Sequence, residues 1–139
     1  MRAVSMAKPS IYVDTCPIID AVKLGRGVSL SSVPAEQQAR QQDCWFFRRL
    51  CEASRDGAIQ LYTSTLTVAE CLHVGEVGAP HEETQRLIEA LLMSGQVFEL
   101  IEADVFVAED ARDLRWVRGL NVKGADGIHM GIGARRTLR

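Results

Sequence analysis

Three acids in this chain stand at junctions where a β-prone run passes into a helix, or where a helix opens. Asp14 closes the run Ile-Tyr-Val-Asp at 11–14, Glu70 lies on the helix that follows a second strand, and Asp126 opens the last helix. Each has an ordinary structural reading. Asp14 suits a turn or a helix cap. Thr67-Val68-Ala69-Glu70 fits a capping box, in which Glu70 serves only the helix end. The second strand, however, ends near Thr63, and a helix starting before Thr67 puts Glu70 in its first turn or two, above the strand ends. Asp126 is favourable against a helix dipole in any protein. Together they supply one acid from each of three separate junctions. Hard divalent cations want oxygen ligands, and Mg²⁺ typically takes one or two direct carboxylates plus waters and phosphate oxygens. Clustered carboxylates are also what metal-assisted phosphodiester hydrolysis requires, because a bound metal makes hydroxide from water and offsets charge on the phosphate.

The elements that must position these acids follow from periodicity and punctuation. Residues 1–10 read as a loose leader and 11–139 as one domain, a size that permits a real core. Strands are expected at 11–14, 59–62 and 97–101. Helices are expected at 17–24, 34–55, 64–74, 81–94, 104–117 and from 125 toward 135, with a Gly/Ser-rich connection at 25–32. The second helix carries Ala39, Phe46, Leu50 and Ala53 at helical spacing and stops at Asp56-Gly57. The fourth has Leu87, Leu91 and Ser94 on one face, with Gly95 closing it. The fifth turns Val107, Ala111 and Leu114 inward. Strands alternating with helices predict a parallel, helix-covered sheet, whose working groups collect at the carboxyl ends of the strands.

Composition narrows the class. A net charge of −2 gives no bulk attraction to nucleic acid, so any such contact must be local. Arg135, Arg136 and Arg139 read as a solvated basic end. The four cysteines, Cys16, Cys44, Cys51 and Cys71, form no C-x-x-C pair and no zinc pattern. They read as reduced thiols of a cytoplasmic protein, with Cys44 and Cys51 as small buried hydrophobes. Residues 1–10 hold no signal-peptide core, and no apolar run approaches the roughly 20 residues of a membrane span. Neither a dinucleotide fingerprint nor a P-loop occurs. Asp14-Thr15-Cys16 also lacks the second aspartate of a haloacid-dehalogenase phosphatase. His129, one turn after Asp126, is near enough to serve as a base or phosphate contact, but between Ile128 and Met130 it reads as a packed, hydrogen-bonded side chain; His73, near Glu70, reads the same way. Gly131 and Gly133 are expected to let the last helix approach the sheet.

Three local strings carry a family likeness. Ile-Tyr-Val-Asp-Thr at 11–15, Leu-Tyr-Thr-Ser-Thr-Leu-Thr-Val-Ala-Glu at 61–70 and Gly-Ala-Asp-Gly-Ile-His-Met at 124–130 resemble, in order, three sequence blocks of the PIN-domain family. The resemblance spans about residues 11–135 and implies a three-layer α/β/α domain with a central parallel sheet. It implies a Mg²⁺- or Mn²⁺-dependent endoribonuclease, most like the toxin half of bacterial toxin–antitoxin pairs. RNA is then the substrate, a small antitoxin protein a partner, and a homo-oligomer the expected assembly. Carried over by position, Asp14, Glu70 and Asp126 are the catalytic, metal-holding acids, with Thr15 and Thr65 as hydroxyls that orient them. The sequence departs from the family at Cys16, where many members have asparagine. It also stops at Thr137-Leu138-Arg139, before the further strand and fourth acid of the family. A sheet with its last strand missing or shortened leaves an edge that another subunit could cover. A PIN-like module that binds a protein or RNA without cutting is the alternative.

Overall fold

The computed structural model describes residues 7–24, 35–71 and 82–137. It is a mixed α/β structure with a three-stranded parallel sheet and six α-helices among the described residues. Strand β1 (Ser10–Tyr12) leads into helix α1 (Thr15–Leu24), followed by α2 (Ala35–Arg55) and β2 (Gln60–Ser64). Then come α3 (Thr65–Glu70), α4 (Glu82–Ile88), a π-helical turn (Glu89–Met93), β3 (Phe98–Ile101), α5 (Val105–Trp116) and α6 (Gly124–Thr137). The sheet order is β1-β2-β3, with Ile11 opposite Leu61 and Tyr62 opposite Glu99. The residues at 25–34, which include the expected Gly/Ser-rich connection, lie outside the described residues, as do 1–6 of the leader and 72–74 of the expected third helix.

Side chains alternate across a strand, and that alternation divides the interior. Ile11, Leu61 and Phe98 join Ile18 of α1, Phe47 and Cys51 of α2, and Leu92 of the π turn in one apolar cluster. The rings of Phe47 and Phe98 stack with centroids 6.3 Å apart. Tyr12 points to the other face, where its ring meets His129 and the backbone at Gly133 on α6. Helices α5 and α6 pack on one another, with Val107 and Ile132 buried.

Local chemistry sets the ends of these elements. Helix α2 stops at Asp56-Gly57, where Gly57 has φ +78°, a left-handed conformation that costs glycine little. Gly95, after the π turn, has φ +71°. Asp104 caps α5 by accepting from the Val107 N–H at 2.9 Å.

Two inward faces differ from the periodic expectation. In α2 the buried positions are Cys44, Phe47 and Cys51, while Phe46 is 53% exposed. The adjacent Phe46-Phe47 pair supports either face, and contact with Phe98 selects Phe47. In the fourth helical segment Leu87 is exposed and Leu92 is buried. The doubled pairs Leu87-Ile88 and Leu91-Leu92 leave the apolar stripe two candidate centres, and the π turn carries Leu92 into the core. All four cysteines are free thiols; Cys16 is exposed and the other three are buried.

Candidate functional site

The carboxyl ends of the parallel strands carry a short polar network. Thr63, fully buried on β2, lies with Oγ1 2.7 Å from the Val13 carbonyl oxygen and 2.9 Å from Thr67 Oγ1. A hydroxyl has one hydrogen, and the carbonyl can only accept it, so the Thr67 hydroxyl donates to Thr63. These bonds fix the β1–α1 junction against the β2–α3 junction. Ser64 is the N-cap of α3, its side chain accepting from the Thr67 N–H at 3.3 Å. Thr67 therefore sits inside the helix, as a helix starting at 64 requires, so the capping-box reading does not apply: Glu70 is the last residue of α3 and its carboxylate faces elsewhere.

It faces Thr15 and His129. The Thr15 hydroxyl donates to Glu70 Oε2, and His129 Nε2 lies 3.2 Å from the same oxygen. On its other side, His129 Nδ1 is 2.6 Å from the Tyr12 hydroxyl. A carboxylate accepts only, so Nε2 carries the hydrogen directed at Glu70. In the neutral ring Nδ1 is then the acceptor, and Tyr12 donates. Burial pushes the Tyr12 hydroxyl above its ordinary pKa of 10.0, a hydrogen bond with Ser64 pulls it down, and the charges of Asp14 and Glu70 raise it further. Tyr12 thus keeps its proton. The result is a directional chain, Tyr12 to His129 to Glu70, joined at its end by Thr15.

The expected acids are arranged around this chain. Asp14 lies two residues beyond the end of β1 and just before α1; it is exposed. Asp126 lies in the first turn of α6 and is exposed; Glu70 is half-buried. The Cys16 thiol, although its side chain is exposed, is pushed up first by partial loss of water around it and then by the charges of Asp14, Asp20, Glu70 and Asp126. Among the described residues, no group of three histidine, cysteine, aspartate or glutamate side chains is drawn together closely enough to hold one ion directly.

Thr15 is buried, with its hydroxyl against the Glu70 carboxylate. Thr65 is exposed, and its hydroxyl accepts from the Ala103 N–H at 3.3 Å, tying the start of α3 to the loop before α5. His129 belongs to the network rather than to packing alone, and Tyr12 was not singled out at all. The signal for His129 was its spacing, three residues after Asp126 on one helix face. His73 lies outside the described residues.

Beside the network is an open cleft of about 950 Å³. Tyr12, Asp14 and His129 line one part, Met130 and Gly133 extend it along α6, and Asp43, Phe46 and Leu50 form its α2 wall.

No family model, no curated protein and no solved structure matches this chain.

Proposed function

We propose that the chain is a PIN-type, divalent-metal-dependent ribonuclease with a three-layer α/β/α fold, acting as the toxin of a toxin–antitoxin pair. The observation that carries the reading is the bonding of Glu70 to Thr15 and His129, which ties the segments that also carry Asp14 and Asp126 to one carboxylate. The parallel β1-β2-β3 order supports the fold, as does the division of Ile11 and Tyr12 between opposite faces of the sheet.

The donor set fits a hard cation. All three acids offer carboxylate oxygens, Asp14 and Asp126 are exposed, and only the Oε2 oxygen of Glu70 is taken by Thr15 and His129. One or two direct carboxylates with waters is the ordinary Mg²⁺ arrangement, so three direct ligands are not required. When bound, the metal supplies a water of lowered pKa and offsets charge at the phosphate. Asp14 and Asp126 hold it, Thr15 and His129 orient Glu70, and Tyr12 fixes the His129 ring. The open cleft beside Asp14 admits the RNA strand.

Purified protein with Mn²⁺ and single-stranded RNA tests the reading. Cleavage that Asp14→Asn abolishes is the expected result, and unchanged cleavage by that variant would overturn it. A second reading, a module that binds RNA or a protein without cutting, is favoured by one observation: Glu70 Oε2 is already satisfied within the chain. It becomes the better reading if the protein neither binds Mn²⁺ nor cuts RNA.

A further inference from the structure

The α2 wall of the cleft has features that the acids do not use. Phe46 is 53% exposed, although a large aromatic side chain in a helix facing the body of a protein is ordinarily covered. Its ring has one aromatic neighbour: Trp45, itself 56% exposed, meets it edge-on with centroids 5.1 Å apart, and the Arg49 guanidinium lies 5.8 Å from the Trp45 ring. Met130, 45% exposed on α6, lines the same cleft. Asp43 stands three residues before Phe46, on the same helical face, and also lines it. The Asp43 carboxylate has no hydrogen-bond or ion-pair partner among the described residues.

An oriented aromatic ring beside a carboxylate that is unpaired among the described residues, in a cleft that also holds Asp14 and His129, has the chemistry of a base-reading subsite. Unpaired bases stack on aromatic side chains and are read along their Watson–Crick edges. A carboxylate only accepts hydrogen bonds. Among the four bases, guanine alone offers two adjacent donors on that edge, its ring N–H and its exocyclic amine. Adenine, cytosine and uracil each offer one donor next to an acceptor. At about 950 Å³ the cleft lies within the range of roughly 300–1,000 Å³ typical of small-ligand sites, enough for a nucleotide with its neighbouring phosphate.

We infer that Phe46 and Asp43 form a guanine-selecting subsite for single-stranded RNA, with Phe46 stacking the base and Asp43 accepting its two N–H donors. The inference rests on the ribonuclease reading for the identity of the ligand. It concerns residues that hold the substrate rather than the acids that cut it.

Binding is measured in the Asp14→Asn background, so that no strand is lost to cleavage. The probes are two fluorescently labelled uridine-rich RNA decamers, one with a single central guanosine and one with adenosine there, read by anisotropy. The guanosine decamer is expected to bind about five- to a hundredfold more tightly, the range of one good bidentate pair. Adding Asp43→Asn removes that difference, because an amide cannot accept from both donors. Adding Phe46→Ala instead weakens both decamers by about fivefold or more, the loss of one stacked base. Both side chains are exposed, and unchanged melting temperatures confirm that the variants fold. Equal binding of the two decamers overturns the inference, as does a preference that survives Asp43→Asn. Binding of neither decamer also overturns it and leaves the Phe46 wall to a protein partner. Cleavage by the protein retaining Asp14 is scored separately in Mn²⁺. Cleavage without base preference in binding removes the subsite and leaves the nuclease. A guanosine preference without cleavage removes the nuclease and leaves the subsite.

Discussion

His129 Nε2 lies 3.2 Å from the same Glu70 oxygen that accepts the Thr15 hydroxyl, which joins α6 to α3 and to the start of α1 through one carboxylate. The His129 side chain is only 10% exposed, so water replaces it poorly. His129→Ala is expected to cost about 1.5–3 kcal/mol, the range for losing a hydrogen bond to a charged group. Tyr12→Phe removes a single neutral donor and should cost about 0.5–1.5 kcal/mol. The two effects should not add, because removing His129 already deprives the Tyr12 hydroxyl of its acceptor. Urea unfolding of the two single variants and the double variant measures the coupling. Strict additivity would mean that the chain of hydrogen bonds does not act as a unit.

Cys16 offers a probe of the acids that does not depend on activity. Its side chain is exposed and so open to labelling, and its thiol pKa is raised by partial desolvation and by the negative charge of Asp14, Asp20, Glu70 and Asp126. The thiolate is the reactive form, so a raised pKa slows alkylation at any pH below it. Asp14→Asn removes one of the charges, lowers the thiol pKa and speeds iodoacetamide labelling of Cys16 at pH 8. Mn²⁺ bound among the acids acts in the same direction and should speed labelling of the unaltered protein. Labelling that ignores both changes would separate these acids from any shared ion.

How far the sequence foretold this arrangement depends on what decided each part. Strand and helix positions came from periodicity, which local side chains set, and Asp56-Gly57 ended α2 as its turn chemistry dictates. The positions of Asp14 and Asp126 were legible for the same reason, because the start of a helix is a local feature. Tyr12 and His129 were not, because their pairing joins residues 117 positions apart. A histidine between Ile128 and Met130 looks apolar in its surroundings until Tyr12 and Glu70 are brought to either side of it. Phe46 and Phe47 were interchangeable in the sequence. Only the stacking of Phe47 on Phe98 assigns one to the core and the other to the cleft. The start of α3 near Ser64 was legible because Ser64, three residues before Thr67, is a good cap and lies where β2 ends, which leaves Glu70 clear of any capping box.

The buried thiols predict an alkaline dependence of stability. Burial pushes Cys51 and Cys71 from the ordinary 9.0 up to about 11, with Glu70 adding to the rise at Cys71 and Arg55 opposing it at Cys51. The folded state therefore holds these protons more tightly than the unfolded chain. Below pH 9 their contribution is fully present. Above it the unfolded thiols ionise first, and stability falls until the folded thiols also titrate near pH 11. The loss across that window is on the order of 1–3 kcal/mol per thiol. Melting temperatures between pH 8 and 11 measure the slope. Cys51→Ala should flatten part of it while lowering stability at every pH through the smaller side chain. An unaltered slope in that variant would assign the alkaline loss to other groups.

The glycines of α6 separate two effects that a single substitution usually mixes. A Cβ at Gly131 would meet Asp110 Cβ and the Val107 carbonyl oxygen at 3.6 Å, ordinary contact distances. These neighbours belong to α5, so Gly131 serves helix packing rather than the expected approach to the sheet. Gly131→Ala should therefore stabilise by about 0.5–1 kcal/mol through helix propensity. At Gly127 the added Cβ would stand 3.3 Å from Ala111 Cβ and 3.4 Å from the Ala111 carbonyl oxygen. The carbonyl belongs to helix backbone, which yields little, and overpacking there costs about 1–3 kcal/mol against the same propensity gain. Gly127→Ala should be neutral to destabilising by about 2 kcal/mol, and it should do more. Pushing α6 from α5 beside Asp126 and His129 would disturb the hydrogen bond to Glu70, which the His129 ring resonances report by NMR. Gly131→Ala should leave those resonances in place. If both variants shift them equally, the Gly127 contact with Ala111 is not what sets the position of His129.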